Sequence, residues 1–183
     1  ANGGAASQDD ALSATLLKLP DELTLSQNIT DLDPTRMYDS RTHLYHQVQT
    51  HFAPEMLAVY ERTTRAADAD MPTSRSARRL KNVMLSYLSG MPEYADLAVQ
   101  QYSTASGMTD RLAALQALVN SAHPKAADCL GDFYERFRTN ALVVDKWFSV
   151  QAASKAEGAL GAIEQLVKHS AFQISNPNRL RAL

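Results

Sequence analysis

Among its 183 residues the chain has one cysteine, Cys129, and one tryptophan, Trp147, with 7 glycines and 7 prolines. A single thiol excludes an intrachain disulfide and agrees with a reducing compartment, so a cytoplasmic location is expected. Charge of one sign is lacking as well: 18 Lys and Arg stand against 20 Asp and Glu, a net of -2, with no long block of either. That balance supports neither a nucleic-acid nor a membrane partner, and none is expected. Apolar runs fall far short of the ~20 residues needed to span a bilayer, and the start lacks a secretory signal pattern. Nowhere does a sustained apolar/polar alternation appear between turn residues, so strands are not expected.

What is present is helical periodicity in nearly every stretch, within a length that suits one domain. Leu80, Val83, Met84, Tyr87 and Leu88 recur at helical spacing, with Gly90 placed to end that helix and Pro92 to start the next. Thr109 is an expected N-cap before Leu112, Leu115, Leu118 and Val119. Ala126, Leu130, Phe133, Tyr134 and Phe137 form a further stripe after His123-Pro124. Ser154 and Glu157 have capping-box spacing ahead of Leu160, Ile163, Leu166 and Val167. Residues 74–105, 109–138 and 141–169 each read as helix, tight turn, helix, and their lengths are nearly equal. Such regularity predicts an all-α fold, an α-solenoid of antiparallel helix pairs, with an irregular helical bundle as the alternative.

The two ends read as edges. Residues 1–10, "ANGGAASQDD", are small, polar and glycine-bearing, as a linker is; residues 11–183 are expected to form the folded part. At the far end "SNPNRLRAL" opens a helix, with Asn176 as N-cap and Pro177 in the first turn, and stops within it at Leu183.

"NALVVDKWFSVQA" joins an acid and a base to the tryptophan. On a helical wheel Val143, Val144, Trp147, Phe148 and Val150 make one broad apolar face, while Asp145, Lys146 and Ser149 fall opposite. This arrangement favours packing over chemistry: a helix covered on two sides, with Asp145 free to pair with a neighbouring helix and no local partner to tune either charge for catalysis.

Three ordered motifs, "GMTDRLAALQALV", "NALVVDKWFSVQA" and "SNPNRLRAL", resemble the C-terminal helical domain of bacterial-type aminopeptidase N, the zinc alanyl aminopeptidases. "LPDELTLSQNITDLDP" and "APEMLAVYERT" extend the likeness upstream more loosely. Ser106-Gly107 stands where the family often has paired asparagines, and residues 62–78 have no clear counterpart. The resemblance implies an ARM/HEAT-like superhelix and makes residues 11–183 the N-terminal part of that domain, cut within its last helix.

It also implies that catalysis belongs to an upstream catalytic domain of the same chain, where an HExxH helix and a later glutamate bind zinc. That domain's substrates are peptides, which lose their N-terminal amino acids. This segment's share is then to enclose the active site and restrict access to it. Arg181 matches a family arginine that points into the substrate channel; Arg179, facing elsewhere on the helix, is the weaker candidate. No residue here is expected to be catalytic or to bind metal, and the segment alone is expected to be inactive and free of zinc. A free-standing helical-repeat module that holds a peptide or protein is the alternative.

The remaining candidates favour plain readings. His43 and His46 are three apart with no glutamate after His43, so they lack HExxH spacing, and His51 completes only a fortuitous trio. Cys129 sits in an apolar helix and reads as a buried structural thiol. "RSARRLK", with Arg75, Arg78, Arg79 and Lys81, is the densest basic patch, and without interleaved aromatics it reads as a solvated or ion-paired helix face.

Overall fold

In a computed structural model, which describes residues 9–27, 29–67 and 73–183, every regular element among those residues is helical. In order the α-helices are α1 (Asp10–Leu16), α2 (Glu22–Ser26), α3 (Pro34–Ala67), α4 (Thr73–Leu88), α5 (Asp96–Thr104), α6 (Met108–Asn120), α7 (Ala126–Phe137), α8 (Ala141–Ala152), α9 (Ala159–Val167) and α10 (Pro177–Arg181), and Pro92 opens a 3-10 turn, Pro92–Tyr94, ahead of α5. The all-α expectation therefore holds. No helix among the described residues is long and apolar enough to cross a membrane.

The chain divides at Met91–Pro92 into two compact units, and the division corrects one expected pairing. Residues 74–105 are not a helix pair: α4 packs on α3 and α1, whereas α5 packs on α6. Equal spacing did not reveal this because it ignored α3, whose length offers α4 a longer apolar partner than α5 can. The pairing of α8 with α9 agrees with the sequence reading.

In the first unit, Ala53, Met56 and Tyr60 of α3 meet Ala77, Leu80, Met84, Leu85 and Leu88 of α4 in a buried core. Three neutral hydrogen bonds latch this packing. Tyr45 Oη donates to the Ser86 carbonyl at 2.5 Å, Gln49 Nε2 to the Tyr87 carbonyl at 2.5 Å, and Tyr87 Oη to the Leu17 carbonyl at 2.7 Å. The rings of Tyr45 and Tyr87 stack at 4.6 Å. Burial pushes the Tyr45 phenol up to about 12, so it stays a donor at any ordinary pH. Gly90 lies so close that a methyl there would fall 2.6 Å from Gln49 Nε2. α3 leaves helical geometry at Phe52 (φ -118°, ψ 15°), two residues before Pro54. Proline lacks the N–H of the helix ladder and its ring crowds the carbonyl four residues back, which accounts for the kink.

The second unit uses shorter helices and a more aromatic core. Phe133 and Phe148 are fully buried, and Trp147 lies 5.1 Å from Phe148 and 5.0 Å from Tyr134, ring to ring. The wheel reading of α8 is met: Val144, Trp147, Phe148 and Val150 are buried, Lys146 and Ser149 exposed.

Helix starts differ from expectation in three places. Residues 1–8 of the expected linker lie outside the described residues, but Asp9 caps α1 by accepting from the Ala11 and Leu12 N–H groups, and Asp10 is its first residue. Helix α6 opens at Met108 behind Gly107, so Thr109 lies inside the first turn and not at the cap. The Ser154–Glu157 box does not form: Ser154 Oγ accepts locally from the Ala156 N–H, and α9 begins only after Gly158, whose φ of 83° favours glycine.

Candidate functional site

The expected functional residues lie on α10, and the sequence explains its placement. Asn176 Oδ1 accepts from the Asn178 and Arg179 N–H groups, and Pro177 occupies the first turn, where it gives up no ladder hydrogen bond. Two residues apart on a helix is about 200° of rotation, so Arg179 and Arg181 point to opposite sides.

Arg179 points inward and is only 6% exposed. Its Nε donates to Asp145 Oδ1 at 2.5 Å, Nη1 to the Ala171 carbonyl and Nη2 to the Ala141 carbonyl at 3.4 Å. The guanidinium carbon stands 4.9 Å from the centre of the Phe148 ring. One cation thus ties α10 to α8 and to the turn after α9, which is a brace and not a free binding group. Arg181 is exposed and makes no hydrogen bond or ion pair among the described residues. Its guanidinium lies on a helix whose rotation is held by Arg179.

Sequence reasoning allowed Asp145 a partner on a neighbouring helix, and Arg179 is that partner, 34 residues away. It missed two clusters. His169 sits among aromatic rings, 4.9 Å from Tyr134 and 5.1 Å from Trp147. Tyr102 Oη donates its one proton to Asp132 Oδ2 at 2.8 Å, with the Cys129 carbonyl a second acceptor within reach at 3.0 Å. Arg136 Nε donates to Asp132 Oδ1 at 2.8 Å. Burial works to raise the Asp132 carboxyl, but the hydrogen bonds from Arg136 and Tyr102 outweigh it and hold its pKa below the usual value. The Cys129 thiol is buried, and burial first, then Asp132 and Asp128, pushes its pKa up, opposite to the activation a nucleophile needs.

The histidines do not fit a zinc site. His46 Nδ1 lies 2.9 Å from Gln49 Oε1 and His51 Nδ1 lies 3.0 Å from the Gln47 carbonyl. Among the described residues, no three His, Cys, Asp or Glu side chains gather where they could hold a metal ion. In the basic patch, Arg75 and Arg79 are exposed, whereas Lys81 is turned into the first unit and buried, so that stretch is not a uniform solvated face.

Every regular element among the described residues is helical, with no strand among them, which makes this an all-α protein. Residues 4–183 match a family described as a domain of unknown function (DUF3458_C) with ARM repeats, and the chain belongs to that family as a C-terminal helical domain of aminopeptidase N type. It is 34% identical to aminopeptidase N of Escherichia coli over 177 residues, which is 96% of this chain and 20% of that protein. Aminopeptidase N of Haemophilus influenzae is 31% identical over 96% of this chain and 20% of its own length. Aminopeptidase N of Caulobacter vibrioides is 31% identical, over 96% of this chain and 21% of that one. The chain therefore spans about a fifth of the length of these relatives. The crystal structure of Legionella pneumophila aminopeptidase A in complex with aspartic acid shares the fold, with a TM-score of 0.85 and 24% identity over 97% of this chain and 22% of that one.

Proposed function

We propose that this chain is a non-catalytic helical part of a zinc-dependent aminopeptidase that removes N-terminal amino acids from peptides in the cytoplasm. On this reading it encloses an active site supplied by an upstream catalytic domain of the same polypeptide and restricts which peptides reach it. On the same reading, zinc is held by that domain. One observation supports a substrate-facing role: Arg181 is exposed, without a partner among the described residues, on a helix that a buried cation locks in place. A guanidinium so held suits the terminal carboxylate or carbonyls of a bound peptide.

The test belongs in the complete enzyme. Arg181→Ala should raise KM for di- and tripeptides, lowering kcat/KM roughly ten- to a hundredfold, as losing a contact of ~1.5–3 kcal/mol to a charged group would. Single-residue chromogenic amides lack the peptide carboxylate and should change little. Equal losses for both substrates, with a lower melting temperature, would assign Arg181 to the scaffold. Residues 1–183 alone should leave alanyl amides intact and retain no stoichiometric zinc. Zinc kept at one equivalent and lost in His46→Ala would overturn the non-catalytic reading.

A further inference from the structure

Large apolar side chains left in solvent fall into two bands along the chain. They run from Leu12 to Phe52, resume at Leu142 and continue to Leu180, with none among the described residues between. In stacked helical repeats each unit buries its faces against its neighbours, so exposed apolar side chains mark faces whose neighbour lies elsewhere.

The first band is shaped and not scattered. Leu19, Leu25, Ile29, Leu32, Met37 and Leu44 line one open groove of about 460 Å³ between the segment around α2 and the first half of α3. Leu44, Val48 and Phe52, four residues apart in turn, carry the apolar stripe along α3 to its kink. Two arginines also line the groove. Arg41 pairs with Glu22 at 3.3 Å, and its Nε donates to the Pro20 carbonyl at 2.8 Å. Asp31 and Asp33 line the groove too, Asp33 Oδ1 accepting from the Thr35 and Arg36 N–H groups. The groove thus offers an apolar floor with charges of both signs, and of these the Arg36 side chain has no partner among the described residues.

We propose that this groove seats an apolar helix from the part of the same polypeptide outside residues 1–183, with a carboxylate of that helix meeting Arg36. The inference rests on the reading of the chain as part of a longer aminopeptidase. About four fifths of each matched relative lies outside the segment this chain covers, which supplies candidates for the occupant. A helix with an i, i+4 apolar ridge matches the four-residue spacing of Leu44, Val48 and Phe52 along α3.

Thiol labelling of the full-length polypeptide tests this directly. Ile29→Cys and Leu44→Cys are made separately, and maleimide labelling of each position is followed by peptide-resolved mass spectrometry, folded and in urea. Both cysteines should label at least tenfold more slowly in the folded protein. Labelling as fast as in urea, in a variant that keeps its activity and melting temperature, would overturn the groove's assignment and leave the aminopeptidase reading intact. Full-length protein without peptidase activity would sink that reading instead, whatever the labelling shows. Light scattering on the same samples separates a second copy: protection that vanishes as a dimer dilutes to monomer would also overturn the proposal.

Discussion

The two units solve the same problem, anchoring helices to one another, with different chemistry. The first joins α3 to α4 through neutral side chains that donate to backbone carbonyls: Tyr45 to Ser86, Gln49 to Tyr87 and, onto the end of α1, Tyr87 to Leu17. The second joins α8 to α10 through a buried charge pair, Asp145 with Arg179, backed by two carbonyls and the Phe148 ring. Neutral anchors cost less to desolvate and each contributes modestly. A buried cation is expensive unless every donor is met, so losing its partner is punished heavily. The second unit should therefore be the more brittle of the two under single substitutions.

The largest effect that would break this comparison is Asp145→Ala, which strands a guanidinium only 6% exposed. It should cost about 3–5 kcal/mol in urea unfolding of the full-length protein, and the pair replacement Asp145→Leu with Arg179→Met should recover much of that loss. A cost below about 1 kcal/mol would mean that water satisfies Arg179 and the contrast between the units fails.

A smaller loss is expected in the first unit. Gln49→Leu keeps the size of a side chain that is 2% exposed but leaves the Tyr87 carbonyl without that donor, which should cost ~1–3 kcal/mol. Hydrogen exchange should speed up in α3 and α4 and leave α8 and α10 as they were. Faster exchange at α10 as well would show that the two units do not unfold independently.

The smallest effect sharpens the comparison inside the second unit, where a partly exposed charge network sits beside the buried pair. Because the folded pKa of Asp132 is depressed, its contribution is present above the unfolded value of about 3.9 and is lost as pH falls through the folded value. Asp132→Asn should thus be less stable than the parent by a constant amount above about pH 5, and the gap should close in more acid solution. A gap that persists undiminished at low pH would point to packing and not to charge.

Much of the fold was readable because it is written locally. The apolar face of α8, the Asn176-Pro177 start of α10 and the end of α4 before Gly90 all depend on residues within a turn or two of one another. The misplaced starts were local too, but there two nearby acceptors competed: Ser154 was free to cap a helix or close a turn, and Gly158 tipped the choice. Candidate site residues were legible only through family motifs, since one exposed arginine looks like any other in a chain with 18 basic residues.

By itself, then, the sequence determined the helical class, most helix positions, the buried face around Trp147 and the absence of a disulfide, because periodicity, capping and residue counts act over a few neighbouring positions. Only the tertiary structure decided that α4 packs on α3 while α5 packs on α6, that Arg179 is spent on Asp145 while Arg181 is exposed, and that Tyr102 and Arg136 share Asp132. Each of those choices depends on which surfaces meet after the chain reverses direction, and a buried charge finds its partner across 34 residues by geometry that no local pattern encodes.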